Sequence, residues 1–312
     1  MIEKEQLLLA LKAAGEATRL RLLALCAQGE LSVSELTQIV AQSQPRVSRH
    51  LKMLVEGGLL ERFREGAMVF YRCNERGPLG EFGESLIRQL PDDDPELQRD
   101  RARLEDVKLR RAELAHRYFR ENADRWNDIR SLHVRERDVE EALKDVIGAE
   151  PVDDYVDIGT GTGRILVLLA DRVRHGMGID ISPEMLTVAR DSIEQAGLRH
   201  VHVRKSDMYT MPLDDASVDL ATLHLVLHYS ADTDRVIAEA ARVLRPAGRL
   251  IIIDFAPHHE EHLRHEHRHY RLGFADDDIA RLFKDHGLAP GPVTELSGDP
   301  LTVKIWQGRK AG

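Results

Sequence analysis

The stretch that most limits what this chain can fold into is Asp157-Ile158-Gly159-Thr160-Gly161-Thr162-Gly163. The apolar "DDYVDI" enters it and the helix-periodic "RILVLLADRV" leaves it, which reads as a buried strand, a glycine-rich turn and a helix. Alternate glycines let the backbone turn sharply and approach a ligand that side chains would push away. The spacing Gly-x-Gly-x-Gly differs from the Gly-x-Gly-x-x-Gly whose helix start serves a pyrophosphate, so a ligand without phosphates suits it better and a dehydrogenase-like NAD sensor is disfavoured. "HGMGIDIS" follows as a second strand ending in Asp180, where a carboxylate can accept both hydroxyls of a ribose. A third strand, "HVHVRKSDMY", ends at Asp207, placed either to accept the exocyclic amine of an adenine or simply to cap a turn. A fourth, "VDLATLHLVLHY", leads to a helix and to a fifth strand ending at Asp254. The tail reads as two strands around "SGDP", a hairpin closing the sheet with one antiparallel strand.

The 312 residues exceed one ordinary domain and suffice for two, each with its own core. The first ninety carry a different pattern. "EATRLRLLALCAQG" is a helix stopped by Gly29, and "LSVSELTQIVA" opens a second, with Ser32 or Ser34 as N-cap. "PRVSRHLKMLVEGG" is a third, with Pro45 in its first turn. Val47, Leu51 and Leu54 share its core face, while Gln44, Arg46, Ser48, Arg49, His50 and Lys52 lie toward its other side and N-terminal end, where base edges and phosphates would be met. "LLERFREGAMVFYRCN" alternates around Glu65-Gly66 as a hairpin carrying Arg62, Arg64 and Arg72. Charge agrees: residues 1–78 net +2 although the whole chain nets −9. Phosphate contact belongs in the first domain.

"LKAAGEATRLRLLALCAQGELSVSEL", "QPRVSRHLKMLVEGGLL" and "REGAMVFYR" resemble the ArsR/SmtB winged-helix repressors over about residues 5–90. The resemblance implies a homodimer, built from the first helix and the one near "LGEFGESLIRQL", on a palindromic double-stranded DNA operator. Metal-sensing members carry Cys-Val-Cys where this chain has Ser32-Val33-Ser34, so no metal is expected. From "DIGTGTG" onward, the strand order and "MPLDDASVDLATLHLVLHYSADTDRVIAEAARVLRPAGRL" resemble the UbiE-like class I S-adenosylmethionine-dependent methyltransferases over about residues 115–312. That resemblance places Asp157, Gly159, Thr160, Gly161 and Gly163 around the methionine portion of S-adenosylmethionine or S-adenosylhomocysteine. It places Asp180 on the ribose, Ser182 and Met185 at the adenine and ribose edge, Asp207 with Met208 on the adenine, and Ile181 among the cofactor-binding residues. His224 also borders the cofactor. The implied fold is an N-terminal α+β winged helix, then a Rossmann-like seven-stranded methyltransferase sheet with an antiparallel terminal hairpin.

Three segments follow: 1–90 for DNA binding and dimerisation, 91–147 as an acidic joint and helical connector or cap, and 148–312 as the methyltransferase domain. The joint "PDDDPEL" is stiff and acidic, and residues 99–113 hold ten charges of mixed sign, which reads as a solvated connecting helix. Tyr118, Phe119, Trp126 and Ile129 pack that connector on the second domain or form a lid over a substrate. Cys26 and Cys73 cannot build a disulfide framework, and no apolar run approaches eighteen residues; a soluble, cytoplasmic protein is the expectation.

Methyl transfer from a sulfonium is an in-line displacement that positioning alone accelerates, so no fixed triad marks it. Facing a substrate are His224, His228 and Tyr229 after the fourth strand, and Asp254 and His258 after the fifth; a histidine there could take a proton. The fourth strand lacks the proline signatures of DNA methyltransferases, and arsenite methylation would need thiols in the second domain. "HHEEHLRHEHRHY" would set His258, His262, His265 and His269 on one face if helical, a metal-ligand spacing or a pH-sensitive lid. Two readings remain: a regulator whose methyltransferase-like domain senses cofactor or methylates a small molecule, or an active small-molecule methyltransferase whose winged helix is auxiliary.

Overall fold

The computed structural model of the chain describes residues 2–65, 68–74, 77–111, 113, 135–263, 267 and 269–312. It divides into two compact units, Met1–Leu114 and Ala115–Gly312.

The first unit runs α1 (Lys4–Ala14), α2 (Ala17–Cys26), β1 (Leu31–Ser32), α3 (Val33–Val40), α4 (Gln44–Glu56), β2 (Leu60–Glu65), β3 (Met68–Cys73) and α5 (Gly77–Arg88), followed by α6 over residues 95–111. Its strands pair antiparallel in the order β1-β3-β2. Ser32 is the N-cap of α3: its hydroxyl accepts from Glu35 N while Glu35 returns a carboxylate to Ser32 N, a reciprocal capping box. Val47, Leu51 and Leu54 of α4 are fully buried against α2 and α3, as their spacing predicts.

Helix α6 departs from the solvated connector expected of it. Leu104 and Val107 are buried in the first unit's core, and Arg21 of α2 grips Asp100 through two hydrogen bonds of 2.6 and 2.7 Å. Arg103 donates to Ile39 O, and Arg111 holds both oxygens of Glu35 and the carbonyl of Glu30. Both ends of α3 are thus tied to α6. Although burial raises the carboxyl of Glu35, Arg111 and the Ser32 cap bring it below the usual carboxylate range.

The second unit contains α7 (Glu136–Ile147), β4 (Val152–Ile158), α8 (Arg164–Leu168), β5 (Val173–Asp180), α9 (Pro183–Gln195), β6 (Val201–Lys205), β7 (Val218–His224), α10 (Thr233–Val243), β8 (Leu244–Phe255), α11 (Asp276–Asp285), β9 (Leu288–Pro290), β10 (Thr294–Leu296) and β11 (Val303–Lys310). The sheet order is β10-β11-β8-β7-β4-β5-β6, with β9 pairing the far end of β11 as an eighth strand beyond the seven expected. Strands β4 to β8 are parallel, and β11 runs antiparallel between β8 and β10. One apolar core holds α7, α8 and α9, the other α10 and α11. With each face covered, the strands are near-continuously apolar, as in Leu250 to Ile253, all fully buried. The ends of β4, β5, β7 and β8 lie on one edge, where ligands enter open α/β sheets.

Candidate functional site

The cradle is built by a buried polar chain. Asp157, at the end of β4, is 1% exposed; its carboxylate accepts from the Thr160 hydroxyl (2.7 Å) and from the Thr222 hydroxyl of β7 (2.6 Å). Since the Thr222 proton is spent there, Tyr155 donates its phenolic hydrogen to Thr222 at 2.6 Å. Burial pushes the Asp157 carboxyl up against the pull of these hydroxyls. Asp157 therefore faces inward and fastens the loop, instead of lining the methionine portion as the resemblance implied. Thr160 is likewise buried.

Above this anchor the glycines take left-handed backbone angles. Gly159 has φ 72°, and a Cβ there would sit 2.4 Å from Val226 Cγ2. Gly161 has φ 53°, and among the described residues nothing lies within 4 Å of a Cβ built there, so its backbone is accessible to a ligand. Gly163 also lies in the left-handed region and leads into α8. Asp180, at the end of β5, accepts from Gly161 N (2.9 Å) and Ser182 N (2.8 Å), which fixes the loop crest against the entry to α9. Burial raises its carboxyl, opposed by those backbone donors.

Ser182 caps α9 through Met185 N; Met185 is half-buried, and Ile181 is 66% exposed, an apolar surface beside the cradle. Ser206 N donates to Asp180 O, which brings the end of β6 alongside. Asp207 there is exposed and accepts from Tyr209 N at 3.0 Å, so it caps a turn, while Met208 is half-buried against the second core.

His224 ends β7 and is half-buried. Leu225 follows with φ 50°, a turn that carries Val226 onto Gly159. His228 is 2% exposed, and its Nδ1 lies 2.8 Å from Asp254 Oδ1 at the end of β8. Tyr229 is half-buried with its ring 4.2 Å from that of His228. His258 is half-buried, edge-on to Phe255. Tyr118 and Trp126, with Phe119 and Ile129, lie outside the described residues. Residues 258–260 are not helical, so the expected histidine face does not form from His258 to His262, and His265 is outside the described residues. His267 and His269 are instead buried, the latter with its ring 4.0 Å from His228. Among the described residues no group of three or more His, Cys, Asp or Glu is placed to hold a metal ion.

On the first unit, Gln44, Arg46, Arg49 and Lys52 of α4 and Arg62 and Arg64 of β2 are exposed, and Ser48 is half-buried. Two expected members turn inward. Arg72 is engaged by Glu61 (2.7 Å) and Glu30 (3.5 Å), with its side chain 12% exposed, so it braces the hairpin instead of meeting phosphate. His50 lies 3.5 Å from Glu16, and burial lowers its pKa. Tyr155, Thr222, Val226 and His267 were not singled out from sequence, whereas His269 was, on a conditional histidine face. Polar residues on otherwise apolar strands were a visible sign for the first two; nothing local marks Val226.

Residues 16–62 match the family described as bacterial regulatory protein, arsR family, and residues 156–252 match a methyltransferase domain. An uncharacterized 37.1 kDa protein in a Streptomyces fradiae transposon is 34% identical over 176 residues, covering 52% of this chain and 50% of that protein. A demethylmenaquinone methyltransferase of Thermus thermophilus is 34% identical over 104 residues, covering 33% of this chain and 47% of that protein. This chain thus spans about half the length of these curated relatives. A geranyl diphosphate methyltransferase solved in complex with S-adenosylmethionine superposes with a TM-score of 0.51 at 19% identity, over 56% of this chain and 86% of that one, a likeness of fold. The chain therefore joins a segment that matches the arsR-family regulators to a segment that matches methyltransferase domains.

Proposed function

We propose that this protein is a DNA-binding transcriptional regulator, acting as a repressor, whose second unit binds S-adenosylmethionine or S-adenosylhomocysteine to sense it or to methylate a small molecule. The observation that carries the reading is the open approach at Gly161, backed by the Asp180 carboxylate and the exposed Ile181, in a chain that also presents a cationic α4. The residues fit the cofactor: the Gly159 to Gly163 backbone takes the methionine portion, Asp180 the ribose hydroxyls through its remaining lone pairs, Ile181 and Met185 the ring edges, and Asp207 with the Met208 backbone the adenine amine. His224 borders the same space. When bound, the cofactor supplies an electrophilic methyl group. Asp157 and Thr222 keep the loop closed beneath it.

DNA reading falls to Gln44, Arg46, Ser48, Arg49 and Lys52 in the major groove, with Arg62 and Arg64 along the backbone. Leu8, Leu9 and Leu11 of α1 are each about half exposed, an apolar stripe that suits a homodimer on a palindromic operator. The domain limits proposed are 1–90, 91–147 and 148–312, with α6 packing on the first of these. The buried His228–Asp254 pair favours the second reading as well, an active methyltransferase with an auxiliary winged helix, its acceptor site completed by Tyr229 and His258.

Isothermal titration with S-adenosylhomocysteine tests the cofactor reading. Wild type should bind one equivalent per chain, and Asp180→Ala should weaken it roughly tenfold or more, the scale of a lost charge-assisted hydrogen bond. Undiminished binding by Asp180→Ala would show that the cradle lies elsewhere.

A further inference from the structure

The second unit buries a polar arrangement that packing alone does not require. His228 Nδ1 donates to Asp254 Oδ1 at 2.8 Å, and the carboxylate, itself fully buried, is held by Phe255 N (2.8 Å) and by His228's own backbone N–H (3.2 Å). With its Nδ1 proton engaged, the ring presents a lone pair at Nε2. That atom is buried and meets no hydrogen-bond partner among the described residues. Leaving such an acceptor unsatisfied is costly, and a core that only needed filling would be served by leucine.

Its place in the fold gives this atom a use. His228 lies two residues beyond Val226, whose side chain rests against Gly159, so the turn that closes the cradle also carries the imidazole. Leu225 holds that turn in the left-handed region at φ 50°, a conformation a leucine adopts only where its surroundings enforce it. Around the ring stand Tyr229 at 4.2 Å from its own turn, Phe255 at 5.3 Å from β8, and His269 at 4.0 Å from the segment after β8.

We infer that His228, oriented by Asp254, is the base that takes the proton from a phenolic hydroxyl on the methyl acceptor; this rests on the reading of the unit as a binder of S-adenosylmethionine. The O–H bond breaks and its proton passes to Nε2. The oxygen forms a bond to the methyl carbon, the carbon–sulfur bond breaks, and its electron pair stays on the sulfonium sulfur, now a thioether. Asp254 balances the imidazolium that results and acts as a positioning residue. A phenol fits better than other nucleophiles: a free amine is already nucleophilic, whereas an aliphatic hydroxyl, near water in acidity at roughly 16, lies far from an imidazole. A phenol, at about 10, is the more acidic hydroxyl and the one that an oriented imidazole can deprotonate. The aromatic wall also favours a flat ring.

Among the described residues, the ionisable groups beside His228 are Asp254 from β8, Tyr229 next to it, and His258 and His269 from the following segment, with His267 packed behind His269. Burial and the neighbouring imidazoles bring His269 down to about 3, so it stays neutral and does not oppose a proton arriving on His228.

The test uses full-length protein loaded with S-adenosylhomocysteine and 4-nitrophenol as the probe, read by the absorbance of nitrophenolate about one pH unit below the probe's own pKa. Wild type should hold the probe with its phenolate fraction raised roughly tenfold over free solution. His228→Gln should abolish that rise and Asp254→Asn should reduce it, both still binding S-adenosylhomocysteine like wild type. A bound probe that stays neutral in wild type, a probe that does not bind the loaded protein, or a phenolate that survives in His228→Gln each overturns the inference. Failure of wild type to bind S-adenosylhomocysteine would instead strike the cofactor reading. Should His228→Gln lose its fold, the comparison of wild type with Asp254→Asn decides: a phenolate fraction raised in wild type and lowered in Asp254→Asn supports the base, and equal fractions in the two overturn it.

Discussion

Arg49 and Arg72 sit in the same unit and meet different surroundings. Both are arginines in a local excess of positive charge, and sequence treats them alike. Arg49 is exposed on α4, whereas Arg72 is clamped by Glu61 and Glu30. Arg49→Ala should weaken binding to the protein's own upstream DNA roughly tenfold and lower the salt slope by about one, with no change in melting temperature. Arg72→Ala should cost about 3 kcal/mol in urea unfolding, because two carboxylates lose a shared cation, one of them buried. A variant of Arg72 with full stability and weak DNA binding would restore it to the DNA surface. The pairing was illegible because Glu30 and Glu61 lie 42 and 11 positions away, and only the three-stranded sheet brings them together. His269 carries a pH prediction. Its folded pKa of about 3 lies below the ordinary 6.5, so below 6.5 the unfolded chain binds the extra proton and stability falls as pH drops. The melting temperature should therefore decline from pH 6.5 toward pH 4, and His269→Phe should flatten that decline; an unchanged slope would contradict the burial of this ring.

At the scale of elements, regular patterns were legible and mixed ones were not. The Gly-x-Gly-x-Gly turn, the capped α3 and the apolar spacing of α4 each agree with their local sequence, because a single period or cap decides them. Helix α6 did not, since ten charges in residues 99–113 conceal an apolar seam of Leu104 and Val107 that is too thin to register. What holds it is ionic. Arg21→Ala would leave Asp100, 2% exposed, without its cation and should destabilise the first unit by about 3 kcal/mol in urea unfolding. A loss below about 0.5 kcal/mol would mean that α6 does not depend on this pair. The asymmetry between α6 and α4 is physical: a helix bound by long-range salt bridges writes its partners elsewhere in the chain.

At the scale of the whole molecule, two surfaces with different chemistries share one chain: a cationic helix suited to phosphates and base edges, and a glycine cradle suited to a nucleoside ligand. The succession of strands and helices and the existence of two units could be read in advance, because strand and helix runs alternate visibly from Val152 onward, whereas the eighth strand, β9, could not. The central claim is that binding at the cradle and binding at the DNA are linked, and linkage is reciprocal by thermodynamic necessity. The most direct measurement is fluorescence anisotropy on the protein's own upstream DNA at fixed salt, with no ligand, with S-adenosylmethionine and with S-adenosylhomocysteine. One of the two ligands should shift the DNA affinity roughly fivefold or more, and Asp180→Ala should lose the shift while keeping ligand-free affinity. Tight DNA binding that is indifferent to both ligands would contradict the linkage.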